Sequence, residues 1–123
     1  MARPHDESAE VSALLPLPAA TFHILLAVAD EPRHGYAISQ DIAARTNGAI
    51  KLSFGTLYRS IQRMLEHGLL EEVRAPTAAG RDDERRRYYR VTRFGRVVAR
   101  AEVRRLADMV RLAGGTSFAL ERG

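Results

Sequence analysis

Apolar side chains recur at three- to four-residue spacing in four stretches of this chain, and that period marks amphipathic helices. Phe22, Leu25, Leu26 and Ala29 share one face, so residues 19–29 read as a core helix. Pro18 suits its first turn, where a missing N–H costs nothing, and Asp30-Glu31-Pro32 ends it. A second helix, residues 36–46, turns Ile38 and Ile42 inward with Tyr36 at its start and stops at Asn47-Gly48, residues that tolerate the left-handed conformation. Residues 50–52 predict a short strand. Ser53 then offers an N-cap for a third helix reaching about residue 67, with Leu57, Ile61, Met64 and Leu65 as its stripe and Gly68 as its stop.

After residue 68 the period changes. Residues 69–73 and 88–91 read as two strands, and the segment between them, with Pro76, Gly80, Asp82 and Asp83, suits a hairpin loop. Thr92 caps a last helix over residues 93–113, ended by Gly114-Gly115. The predicted fold is α+β, mostly α: a winged helix-turn-helix over residues 18–92 followed by a C-terminal dimerisation helix. Residues 1–17 are expected to be a polar, frayed arm and residues 114–123 a tail.

Ala99, Val103, Leu106, Val110 and Ala113 give the last helix its dimerisation role, because their 4-3-4-3 spacing is that of a coiled-coil seam. Phe94, Val97, Val98 and Ala101 form another apolar surface at its start, suited to packing back on the domain.

Charge adds a partner to this picture. The net charge is +4, but residues 1–50 carry three basic against six acidic side chains, and residues 51–123 carry sixteen against nine. Eighteen of the nineteen basic residues are arginine, whose planar fork suits phosphate and guanine edges. A polyanionic partner accounts for that asymmetry. In a helix-turn-helix the N-terminal residues of the second helix meet base edges. The candidates here are Ser53, Thr56, Tyr58 and Arg59, with Arg63 on phosphate and Tyr36 and Lys51 nearby. Arg81, Arg85, Arg86 and Arg87 flank the hairpin turn; Arg85 and Arg87 share one face, while Arg86 lies on the other. One face can meet the DNA backbone or minor groove, and the other can pair with Asp82 or Glu84.

Enzyme chemistry finds no foothold in this pattern. His5, His23, His34 and His67 are scattered, there is no cysteine, and no glycine loop suits phosphate. No catalytic residue, metal ligand or cofactor is therefore predicted. No apolar run approaches the roughly 20 residues of a membrane span, and a cytoplasmic location is expected. A winged helix that docks on an acidic protein is the alternative reading. RNA binding is a third, and it lacks a stacking platform because Tyr88 and Tyr89 alternate faces of one strand.

Several runs resemble the PadR-type regulators, the phenolic-acid-responsive repressor family. They are Phe22-His23-Ile24-Leu25-Leu26-Ala27 with Pro32-Arg33-His34-Gly35-Tyr36-Ala37-Ile38, then Gly55-Thr56-Leu57-Tyr58, then residues 84–92 with Gly95-Arg96. The resemblance implies a homodimer on double-stranded DNA at an inverted-repeat operator, usually repressing transcription and released by a small-molecule effector. A single short C-terminal helix resembles the smaller subfamily. The chain has no tryptophan, and Leu106 stands mid-seam where an aromatic could have stacked on a flat ligand.

Overall fold

The computed structural model describes residues 4–76, 79–80 and 85–121. Its elements in chain order are α1 (Pro4–Leu14), α2 (Ala19–Ala27), β1 (Arg33–His34), α3 (Gly35–Arg45), α4 (Phe54–Glu66), β2 (Leu70–Val73), β3 (Tyr88–Val91) and α5 (Arg93–Ala113). Two compact units result: residues 17–96, and residues 1–16 together with 97–123.

In the larger unit α2, α3 and α4 enclose a core of Ile24, Leu25, Val28, Ile38, Ile42, Leu57, Ile61 and Met64. The stripe of α2 falls on Thr21, Ile24, Leu25 and Val28, while Phe22, Leu26 and Ala29 are half-buried. That corrects the face read from the sequence. The helix is apolar on nearly every side, so spacing alone does not single out its inner face. Where α3 ends, Asn47 and Gly48 both take positive φ (52° and 80°), as the stop signal requires.

The sheet is antiparallel in the order β1-β3-β2, with His34 opposite Tyr88 and Val73 opposite Tyr88 on its other side. The edge strand expected at residues 50–52 does not form; Arg33–His34 takes that place. Arg33 is anchored there by its own side chain. Its Nε donates to the Ala27 carbonyl at 2.7 Å, and its guanidinium lies 3.1 Å from Glu31 and 3.6 Å from Asp41. Thr92 caps α5 as expected: its Oγ1 accepts from the Gly95 N–H at 2.9 Å and donates to the Gly68 carbonyl at 2.5 Å. Gly95 is required at that junction, because a Cβ would stand 2.2 Å from the Leu69 carbonyl oxygen.

In the second unit the expected frayed arm is instead helical over Pro4–Leu14, with Val11 buried. No apolar stripe recurs along α1, so periodicity could not reveal it. From Val97 onward α5 buries Val98 and Glu102, whose carboxylate accepts from Arg105 at 2.5 and 3.1 Å. That bond holds Arg105 above its ordinary pKa, more firmly in the charged form. Val103, Leu106, Met109, Val110 and Leu112 are exposed. Thus the predicted seam is open along Val103, Leu106 and Val110, with Ala99 and Ala113 half-buried at its ends. Met109 and Leu112 add apolar surface that the spacing argument left out. Among the described residues no single helix is long and apolar enough to cross a membrane.

Candidate nucleic-acid interface

Helix α4 begins as the sequence predicts. Ser53 Oγ accepts the Thr56 N–H at 3.2 Å and donates to Thr56 Oγ1 at 2.9 Å. With Leu57, Ile61 and Met64 buried, the helix has one side left for solvent. Arg59 and Arg63 are exposed one turn apart on it and find no carboxylate or other partner among the described residues. They line a cleft of about 130 Å³ with Thr56, Ser60, Pro18 and Thr21. At the Pro18 end of that cleft, α2 starts with no side-chain cap for its first N–H groups, a setting that favours anions. Lys51, just ahead of α4, is exposed as well.

Other basic residues are committed inside the chain. Arg45 holds Asp41 at 2.6 Å, Arg90 pairs with Glu71 across β2 and β3, and Arg111 lies 2.9 Å from Asp108. The arginine count therefore overstates the available charge. Arg59, Arg63 and Lys51 have no such carboxylate among the described residues; Arg74, Arg85, Arg96, Arg100 and Arg104 share that state, and what sets the first three apart is their place on α4 or just ahead of it.

An aromatic cluster adjoins the start of α4. Tyr58 lies over the start of α3, so close to Gly35 that a Cβ there would stand 2.3 Å from the phenol oxygen. The Phe54 ring rests on Tyr58 with centroids 4.5 Å apart. His34 caps α3, its Nδ1 accepting the Ala37 N–H at 3.1 Å, which puts the proton on Nε2. Its ring runs parallel to Tyr36 at 6.5 Å and receives Tyr88 edge-on at 5.3 Å. Arg86 places NH1 3.3 Å from both ring nitrogens, which sets it over the ring face, and its guanidinium is 5.5 Å from the Tyr36 centroid. A cavity of about 340 Å³ opens between these groups, lined by Tyr36, Phe54, Tyr58, Arg86 and Arg87 among others. Tyr89, behind Tyr58, has its pKa raised above the ordinary 10.0, first by burial and then by Tyr58 and Glu72; Arg87 opposes the shift.

The structure thus gathers Tyr36, Tyr58, Arg86 and Arg87 at one end of α4 and Thr56, Arg59 and Arg63 beside α2. Arg85 is exposed, Arg87 sits 3.8 Å from Glu72, and all three arginines lie just ahead of β3, which starts at Tyr88. Arg81, and the pairing expected with Asp82 or Glu84, lie outside the described residues. Tyr88 and Tyr89 are both buried, and neither offers a stacking surface. Two participants were missed. His34 is no usual capping residue, and Phe54, three residues before Leu57, has the spacing of a core position although it is 78% exposed.

Helices α2, α3 and α4, with β1 between the first two and the antiparallel pair β2 and β3 after the third, define a winged helix-turn-helix. The profile of the transcriptional regulator PadR-like family matches residues 24–101, and the chain belongs to that family. An uncharacterised protein of Lysinibacillus sphaericus is 33% identical over 92 residues, covering 70% of this chain and 82% of its own length. Among solved structures, a PadR family transcription regulator from hypervirulent Clostridium difficile superposes with a TM-score of 0.67 at 18% identity, over 80% of this chain and 97% of that one. A transcriptional regulator from Clostridium thermocellum gives 0.64 at 21% identity, over 80% and 92%.

Proposed function

We propose that this protein is a sequence-specific regulator of transcription that binds duplex DNA through α4 and acts as a homodimeric repressor. The observation that carries the reading is the unneutralised basic edge of α4: Lys51, Arg59 and Arg63 are exposed without partners among the described residues, beside a capped helix start. In a helix-turn-helix that end of the second helix lies against base edges, while flanking cations and helix N-termini hold phosphates. Arg85, Arg86 and Arg87, just ahead of β3, position the protein on the backbone, a role the sequence alone also assigns to Arg81.

Exposed Val103, Leu106 and Val110 support a second copy on α5, since a seam of this spacing buries its apolar side chains only against another helix. Two copies would set their α4 helices into successive major grooves, about 34 Å apart, on an inverted repeat. Release by a small-molecule effector rests on the family resemblance.

Selection of duplexes from a random library, followed by gel shifts, tests the reading. Each phosphate neutralised should add about −0.9 to the slope of log affinity against log salt. Arg59→Ala and Arg63→Ala should each weaken operator binding without loss of fold. Binding indifferent to sequence, or affinity unchanged in both variants, refutes it.

A further inference from the structure

Phe54 is the most exposed large apolar side chain described in residues 17–96, at 78%. An aromatic ring left in water at the first position of a helix gives up the transfer energy that burial would return. The ring is nevertheless held. It rests on Tyr58 at 4.5 Å, and Tyr58 is seated in the space that Gly35 leaves open. Beside it, Gly55 has no close neighbour: a Cβ there would meet only Arg59 NH1, at 3.8 Å. The first turn of α4 therefore presents an apolar disc on a rigid support, next to bare helix backbone.

The groups around that disc say what covers it. Arg86 and Arg87 line the cavity beside it, Arg59 NH1 lies over the neighbouring Gly55, and exposed Lys51 stands three residues earlier in the chain; this basic setting suits a polyanion and not an apolar protein surface. On duplex DNA the apolar group displayed on the major-groove floor is the C5-methyl of thymine, and phenylalanine is one of the side chains that meet it.

We propose that Phe54 is a specificity-determining residue that seats against a thymine C5-methyl and selects thymine at one position of each half-site. The inference rests on the DNA-reading role of α4. A 5-methylcytosine carries the same methyl and satisfies the same contact.

Deoxyuridine scanning tests it. Duplexes selected from a random library with the full-length protein are resynthesised with deoxyuridine in place of each thymine in turn, and affinities are read by gel shift. Removing the methyl that Phe54 meets should weaken binding about fourfold, the equivalent of one buried methylene, and about fifteenfold when both half-sites are changed. In Phe54→Ala that penalty should vanish, and in Phe54→Leu part of it should return; circular dichroism confirms the fold of each. A wild-type protein insensitive to deoxyuridine at every position overturns the proposal while leaving DNA binding intact. So does a penalty that persists in Phe54→Ala. Selection that enriches no sequence removes the α4 reading itself, and the proposal with it.

Discussion

Gly55→Ala separates the demands of the fold from those of binding, because its two effects should have opposite signs. Position 55 lies in the first turn of α4, its φ is not left-handed, and the added methyl would meet nothing nearer than Arg59 NH1 at 3.8 Å, an ordinary contact. Glycine in a helix costs about 0.5–1 kcal/mol relative to alanine, through the backbone freedom it loses on folding. At a helix end the lower figure applies, so the variant should be more stable by about 0.5 kcal/mol. For a domain of this size that is roughly 2–4 °C in melting temperature. Since the interior asks nothing of a glycine here, the open backbone serves something outside, and a methyl would hold base edges away from the helix. Operator affinity should fall at least tenfold, about 1.4 kcal/mol. Thermal melts followed by circular dichroism and gel shifts on one preparation provide both numbers. A variant that is stabilised and binds as tightly as wild type would refute the placement of this turn against DNA. A destabilised variant would refute the steric argument.

Gly95→Ala should behave in the opposite way: its methyl would stand 2.2 Å from a backbone carbonyl that cannot yield, so about 3 kcal/mol of stability should be lost, visible as a melting temperature lowered by more than about 10 °C. Tyr89 has a raised pKa in the folded state, so its favourable contribution is complete below its unfolded value of 10.0 and is lost as pH rises through the folded one. Denaturant midpoints should fall above pH 10, and Tyr89→Phe should flatten that fall. Leu106→Glu places a charge mid-seam; sedimentation should show monomers and operator affinity should drop, whereas an unchanged dimer would move the interface off this stripe.

How much of this was legible beforehand follows the strength of each local signal. The cap at Ser53, the stripe of α4, the Asn47-Gly48 stop and the span of α5 were all readable, since each follows from spacing or from a short-range backbone preference. The third strand was misplaced because a two-residue strand carries no period; Arg33–His34 is fixed by tertiary partners, Ala27 and Asp41. Helix α1 escaped notice for lack of an apolar stripe. At the interface, sequence identified which residues were basic but not which remained unpaired. Arg33, Arg45 and Arg90 look like Arg59 in the sequence, and only the fold shows carboxylates beside the first three.

The contact between Gly35 and Tyr58 couples two positions that the sequence holds 23 residues apart. A side chain at 35 forces the Tyr58 phenol to shift, whereas a smaller residue at 58 removes the floor under Phe54. Relatives with alanine or serine at 35 should carry a shorter residue at 58, and their preference at the neighbouring base should change with it. A change of base preference at this position would then be a paired step, with the second substitution at the start of α3, beneath the Phe54–Tyr58 pair.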